Sequence, residues 1–464
     1  MQILKEKSHI VKIDKTYLEG DKMEKKVNVI GAGLAGTECA YILSKYGIKV
    51  RLYEMKPNKK SPAHVSDKFG ELVCSNSLKS ELLTNACGLL KEEMRRLGSL
   101  FVEAAYSSKV PAGNALAVDR EKFAEYITNK IKSEPNIEIV YEEVEDVNNL
   151  EGITVIATGP LTSDSLSKSI AKLVGDEGLY FYDAAAPIIT KESIDMTKAY
   201  RKDRYGEVGV GDYLNLAMSK EEYDVFYNAL INAESANRHE FDTLENIEHF
   251  EGCMPVESLA RRGEQTLVFG PLKPVGLYRE DGTKPYAVLQ LRAEDEEETM
   301  FNLVGFQTSL KFSEQKRVFS LIPGLENMEF LRYGVMHRNT YINGPKTLNK
   351  DFRMRHNKNI YFAGQISGVE GYVESAASGL MVAYNIIESF KTDKDELGLF
   401  DEVTILGALS KYVSTENKDY APMNANFGIV PPLENKIKDK KERYTIYASR
   451  SLEKIEEFVN EHIR

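Results

Sequence analysis

One stretch near the amino terminus restricts the possible folds of this chain more than any other: KKVNVIGAGLAGTECAYILSKYGIKVRLYEMK, residues 25–56. Val27 to Ile30 is a short β-branched run, which predicts a strand. Gly31, Gly33 and Gly36 then give GxGxxG, and a helical run follows from about Thr37 to Tyr46. Gly47 stops that helix, and Lys49 to Tyr53 predicts a second strand ending at Glu54. A first glycine permits the tight turn, a second lets backbone amides approach a pyrophosphate, and a third lets helix and strand pack closely. The helix amino terminus favours the phosphate charge. Glu54 stands eighteen residues after Gly36, where a carboxylate can accept hydrogen bonds from a ribose. A bare GxGxxG is weak, but strand, glycines, helix, strand and acid in register predict a Rossmann-type dinucleotide site. The expected backbone contacts are Gly31, Ala32, Gly33, Leu34, Ala35 and Gly36, with Glu54 on the ribose.

The 464 residues are too many for one compact core and imply two or three domains. Hydrophobic residues at 42% and charged residues at 28% fit an ordinary globular chain. No apolar run approaches the ~20 residues that span a bilayer, so no membrane partner is expected. Residues 1–22 are charged throughout and have no apolar signal core, so they read as a disordered extension or a mis-called start before Met23. Cys39, Cys74, Cys87 and Cys253 form no CxxC pair and no finger-like Cys/His spacing, which argues against a disulfide scaffold or a metal site. A cytoplasmic protein with reduced thiols is expected. The net charge of −11 counts mildly against a nucleic-acid partner, although a local basic patch can dominate within a Debye length of ~8 Å.

Two later segments repeat the parallel-sheet rhythm. ITVIATGP, Ile153 to Pro160, predicts a buried strand ending at Thr158-Gly159. NIYFAGQISGVEGYVESAASGLMVAYNII, Asn359 to Ile387, predicts a strand, a glycine-rich turn and a helix with small residues for close approach. This order resembles flavoproteins of the glutathione-reductase type, in which a late strand-Ala-Gly-acid turn meets the ribityl chain. Here Gly364 and Gln365 occupy the turn, with glutamine where that pattern has an acid. One complete GxGxxG leaves no second NAD(P)H domain, so FAD is the expected cofactor. Asp119-Arg120 reads equally as a cofactor contact or a surface ion pair.

SPAHVSDKFGELVCSNSLKS, Ser61 to Ser80, is too rich in Ser, Gly and Pro for a core helix, and hydrogen-bonding residues surround its Cys74. Cys39 within the first helix and Cys87 in ACGLLKEEM read as packing. In EGCMPVESLARRG, Glu251 to Gly263, Cys253 sits in a Gly/Pro-broken segment before Arg261 and Arg262, an uncommon setting for a buried thiol. From about Tyr180 to Gly344 the rhythm gives way to short strands (LVFGPL, YAVLQLRAE, FNLVGFQ) and polar helices such as SKEEYDVFYNALINAE. The expected architecture is α/β: a Rossmann-type FAD-binding domain from 23–180 and 345–464, with an inserted α+β domain, 181–344. Arg261, Arg262, Lys273, Arg292, Lys311, Arg332, His337 and Arg338 are candidates for a basic surface facing a cleft. Each taken singly reads better as a solvated charge balancing acids such as Glu294 to Glu298.

GAGLAGTECAYILSKYGIKVRLYEMKP, ELVCSNSLKS, FEGCMPVESLARRG, YAVLQLRAE, YGVMHRNTYI and YFAGQISGVEGYVESAASG together resemble the folate- and FAD-dependent tRNA (uracil-5-)-methyltransferases, TrmFO, formerly Gid. The likeness runs from about Met23 to at least Tyr384. It implies that methylenetetrahydrofolate supplies a one-carbon unit to uracil C5 in the tRNA T-loop, with reduced FAD as reductant and NAD(P)H restoring it. Uracil C5 is a poor nucleophile until a thiolate adds at C6. The family's two functional cysteines match Cys253 and Cys74. Cys253 is assigned as the C6 nucleophile and Cys74 as the acid/base or flavin-side thiol, with exchange of the two roles left open. Arg261 and Arg262 are candidates to favour the Cys253 thiolate or hold a phosphate, and Arg292 and His337 are candidates for folate. The competing functions are the same chemistry on a 23S rRNA uridine, a flavoprotein partner in RNA modification, and a small-molecule flavin oxidoreductase.

Overall fold

The computed structural model describes residues 25–61, 63–175, 179–204, 210–236, 254–279, 281–392, 397–417 and 420–463, with the backbone alone at 179–184 and 336–338. The expected extension, residues 1–22, lies outside the described residues.

The four runs predicted to be strands assemble, with Ile137–Val140 and Arg353–Met354 that were not predicted from the sequence, into a six-stranded sheet. Its order is Arg353–Met354, Asn357–Phe362, Ile153–Ile156, Lys26–Ile30, Lys49–Tyr53 and Ile137–Val140. All neighbours are parallel except Arg353–Met354 against Asn357–Phe362. Val27 lies opposite both Val50 and Ile153, so the central strand is buried on two sides and its apolar run is nearly continuous. The carboxyl ends Ile30, Tyr53, Ile156 and Phe362 therefore share one edge, where ligands of open parallel sheets bind.

Two helices seal one face. Leu34–Lys45 leaves the GxGxxG turn, and Tyr372–Ser389 crosses it closely. Closeness requires a glycine: a Cβ at Gly379 would stand 2.1 Å from the Ala35 carbonyl oxygen. Helices Ala86–Arg96, Ile405–Ser414 and Lys440–His462 complete this core, joined by buried Glu93. Its carboxylate accepts from the amides of Ile405 and Leu406 at the start of one helix, and from Ser451 Oγ in another.

A second six-stranded sheet is antiparallel. Its order is Ala199–Arg201, Tyr213–Met218, Ala287–Ala293, Met300–Leu303, Ile188–Thr190 and Phe330–Arg332. It carries its own core with the helices Lys220–Ile231, Val256–Arg261 and Phe312–Phe319. Ser219 opens the first of these with a capping box to Glu222, an arrangement typically worth ~1 kcal/mol. The chain passes between the two sheets at one ribbon, in which 179–184 pairs antiparallel with 336–341.

LVFGPL is not a strand. Thr266–Phe269 forms a single helical turn, in which Leu267 is buried and Phe269 projects with 77% of its surface exposed. Gly270 and Pro271 end it, and the Leu272 amide folds back onto the Leu267 carbonyl at 2.8 Å. A short apolar run does not itself distinguish a strand from a helical turn, and here the Gly-Pro break decided against sheet pairing.

Candidate active site at the carboxyl edge of the parallel sheet

The GxGxxG turn divides its glycines between two physical duties. A Cβ on Gly36 would lie 1.8 Å from the Gly31 carbonyl oxygen, and one on Gly31 would lie 2.7 Å from the Ala157 oxygen. Gly31 also has φ +99°, a region that L side chains rarely adopt. These two positions are closed by the protein itself. Gly33, by contrast, has nothing within 4 Å of where its Cβ would be, and it lines an open cleft. The cleft holds about 1110 Å³ of space, part of it continuous with solvent. Gly33 caps the helix Leu34–Lys45, whose first amides lack intrahelical acceptors. This is the open cradle that a pyrophosphate requires, so the residues present fit a dinucleotide.

Glu54 is buried at the cleft wall. Its Oε2 accepts from the Ala32 amide at 3.0 Å and its Oε1 from the Lys56 amide at 2.9 Å. The carboxylate is thus fixed by its own turn, and each oxygen keeps a lone pair for a ribose hydroxyl. The amide of Ala32 is occupied by that bond. Gly364 and Gln365 reach the same cleft from the end of Asn357–Phe362. Gly364 has φ +82° and donates its amide to Ser378 Oγ at 2.6 Å. Gln365 Nε2 is bonded to Glu370, so the acid missing from position 365 stands five residues later and holds the glutamine in place. His64 also lines the cleft, with Nδ1 2.5 Å from Ser61 Oγ. Burial and then the charge of Lys56 lower its pKa.

Tyr372, first residue of its helix, joins this cleft to the first of the two thiols. It lines the cleft, and its hydroxyl accepts from the Cys74 amide at 2.5 Å and the Ser75 amide at 3.2 Å. The Cys74 carbonyl receives two guanidiniums, Arg332 Nη2 at 3.0 Å and Arg120 Nη2 at 3.3 Å. Arg292 holds the next residues, donating to Ser75 Oγ at 2.9 Å and Asn76 Oδ1 at 2.8 Å. Arg120 is neutralised by Glu294, at 2.6 Å from Nε. Arg332 and Arg292 make no ion pair among the described residues. Burial and then repulsion from Arg120 push the Arg332 pKa down. Loop 74–76 is therefore held by three guanidiniums, those of Arg120, Arg292 and Arg332.

These contacts revise the reading of Asp119-Arg120. Asp119 caps the helix Arg120–Ser133, accepting from the amides of Glu121 and Lys122. Arg120 is not an exposed surface pair but a half-buried clamp between Glu294, which follows a strand of the second sheet, and the Cys74 loop. The run Glu294 to Glu298 is accordingly not a uniformly solvated face, since Glu294 is only 3% exposed.

Cys253 lies outside the described residues, which resume at Met254. The rest of its motif is fastened by buried Glu257, whose carboxylate accepts from Thr308 Oγ1, the Ser309 amide and Ser309 Oγ at 2.9, 2.7 and 2.6 Å. Val256 donates its amide to the Gln307 carbonyl at 2.7 Å. Arg261 and Arg262 end this helix exposed, and Arg261 Nε donates to the Ile231 carbonyl at 3.4 Å. His337 lies opposite Asp183 in the connecting ribbon; its side chain is outside the described residues. Of the candidate substrate residues whose side chains are described, Arg292 is the one brought to the Cys74 loop. Cys39 and Cys87 are buried, as expected, and burial raises the Cys87 thiol to about 11.

The glucose inhibited division protein A family model matches residues 26–394. The chain belongs to this family. Curated relatives match it almost end to end. Proteins from Staphylococcus carnosus and Acetivibrio thermocellus are each 56% identical over 94% of this chain and 99% of their own length. One from Fusobacterium nucleatum is 55% identical over 93% of this chain. All three are named methylenetetrahydrofolate–tRNA-(uracil-5-)-methyltransferase TrmFO. The glucose inhibited division protein A of Aquifex aeolicus shares the fold, with a TM-score of 0.66 at 16% identity over 94% of this chain and 76% of that one.

Proposed function

We propose that this chain methylates C5 of a uridine in the tRNA T-loop, at position 54, with methylenetetrahydrofolate as carbon donor and FAD as redox cofactor. Identity of 54–56% over nearly the whole length to proteins carrying that name supports it most directly. The cleft supports it independently, because the open Gly33 cradle and the tethered Glu54 fit a dinucleotide. In this reading the amides of Gly33, Leu34, Ala35 and Gly36 face the pyrophosphate. Glu54 meets the ribose, Ala32 acts by orienting Glu54, and Gly364 and Gln365 border the ribityl chain. FAD, when bound, supplies the hydride that completes the methyl group, and NAD(P)H is the proposed source of its electrons.

The protein's own part is to activate the pyrimidine. A thiolate adding at C6 places electron density on C5, and its later elimination, as C5 loses its proton, restores the ring. We assign Cys253 to that addition and Cys74 to the proton transfer. Arg292, held to Ser75 and Asn76, serves folate or uracil through the loop it positions, and His337 remains the folate candidate. We assign the exposed Arg261 and Arg262 to RNA phosphates. The chain is taken to divide at the connecting ribbon, with 23–180 and 345–464 holding the nucleotide and 181–344 covering the pyrimidine. No described helix is long and apolar enough to cross a membrane, and we assign the enzyme to the cytoplasm on the strength of its proposed tRNA and folate substrates.

Mass mapping of 5-methyluridine in tRNA and 23S rRNA from a deletion strain tests the target. Loss at tRNA position 54 alone is expected. Loss confined to rRNA would move the same chemistry to that target, and unchanged methylation in both would reject it.

A further inference from the structure

Phe330, Tyr333 and Phe312 form a ladder of three nearly parallel rings. Phe330 and Tyr333 stand 4.3 Å apart between centroids with planes 20° apart, and Tyr333 and Phe312 stand 4.4 Å apart at 19°. The inner ring, Phe330, packs against the core of the antiparallel sheet. The outer ring is 54% exposed although Tyr333 covers one of its faces, so its open face is toward solvent. Fully burying such a ring typically gains ~1.5–3 kcal/mol, a gain this fold forgoes at Phe312.

The ring's surroundings are charged rather than apolar. Phe312 opens the helix Phe312–Phe319, and Lys316 follows one turn later on the same side. Lys316 is exposed and makes no ion pair among the described residues. Nearby Lys311 and Arg317 are already paired, with Glu234 and Glu314. The ladder is tied to the Cys74 loop through the chain, because Arg332, which precedes the middle ring Tyr333, donates to the Cys74 carbonyl.

We propose that the open face of Phe312 is a stacking platform for an unpaired base of the RNA substrate, with Lys316 meeting an adjacent phosphate. The proposal rests on the RNA reading above and adds the site where the RNA is held. An apolar protein partner would want more apolar surface around the ring. A polyanion that presents flat π-faces suits one exposed ring beside one unpaired cation. A uridine drawn out of a folded loop loses stacking with its neighbours, and a ring at the rim offers a replacement surface for the disturbed bases.

The test is fluorescence titration of a T-loop stem-loop RNA onto the FAD-loaded full chain at several salt concentrations. Phe312→Ala is expected to weaken binding roughly 5- to 150-fold, the range that one base stack supplies, without changing the salt slope. Phe312→Trp should bind at least as tightly as the parent, and Lys316→Gln should reduce the salt slope by about one. The platform is refuted if Phe312→Ala binds as the parent does, or if Phe312→Leu restores binding as fully as Trp. It is also refuted if Phe312→Ala alters the oligomeric state by light scattering, because the ring would then be a contact between copies. If the parent itself binds no RNA, the RNA reading falls; if the parent binds and Phe312→Ala matches it, only the platform falls.

Discussion

The Tyr372 hydroxyl lies 2.5 Å from the Cys74 amide nitrogen and also accepts from Ser75, and Tyr372 is one of the residues lining the dinucleotide cleft. One side chain at the start of a helix thus sets the distance between the nucleotide site and the first thiol. Tyr372→Phe would leave two amides of the loop without their acceptor, a loss of ~1–3 kcal/mol locally. Hydrogen exchange at residues 74–76 should quicken about tenfold or more while the central sheet stays protected. Unchanged exchange would mean that other contacts hold the loop.

The guanidiniums on the Cys74 loop give a prediction about reactivity. Arg332 meets the Cys74 carbonyl and has no carboxylate partner among the described residues. Alkylation of Cys74 by iodoacetamide at pH 7, read by peptide mass spectrometry, should slow several-fold in Arg332→Gln. Arg332→Lys, which keeps the charge, should recover most of the rate. Equal rates in all three proteins would show that the guanidinium only shapes the loop.

Gly33 and Gly36 should fail differently. Gly36→Ala places a Cβ 1.8 Å from a backbone oxygen, so the turn must deform, and a fall in thermal stability with or without cofactor is expected. Gly33→Ala meets open space and should melt within ~0.5 kcal/mol of the parent as apoprotein. Its flavin affinity should nevertheless drop at least tenfold, since the added methyl occupies the cradle. Parent-like flavin binding in Gly33→Ala would remove the pyrophosphate from that place.

Glu93 carries a pH signature. Burial, opposed by its bonds to Ser451, Ile405 and Leu406, raises its carboxyl from 4.5 to about 7. The folded state therefore binds this proton more tightly than the unfolded chain, and the group's contribution to stability falls as pH rises from about 4.5 through about 7. Melting temperatures of the parent and Glu93→Gln over pH 4.5 to 8 should diverge across that window, with the parent losing relative stability as pH rises. Parallel curves would place the ionisation elsewhere.

Local patterns were readable in the sequence and long-range pairings were not. The strand, glycines, helix and acid of residues 26–54 are consecutive, so each residue's duty follows from its spacing, and Asn357–Phe362 with its turn was found the same way. Tyr372 and Cys74 are 298 positions apart, and Arg120 and Glu294 are 174 apart. Only the folded chain pairs them, the second pair across the meeting of the two sheets, and neither tyrosine nor arginine stands in a motif that announces such a partner. Gln365 is intermediate. The sequence showed an amide in place of the acid, and only the folded turn showed Glu370 beside it.

The central claim is that this chain carries a folate carbon to uracil. The most direct measurement incubates the purified protein with FAD, NADPH, unmodified tRNA and methylenetetrahydrofolate labelled in the methylene carbon, then digests the RNA to nucleosides. Labelled 5-methyluridine from position 54 is predicted, abolished in Cys253→Ala and in Cys74→Ala. An RNA product without label, formed by protein whose flavin is reduced and whose tRNA is bound, would contradict the account.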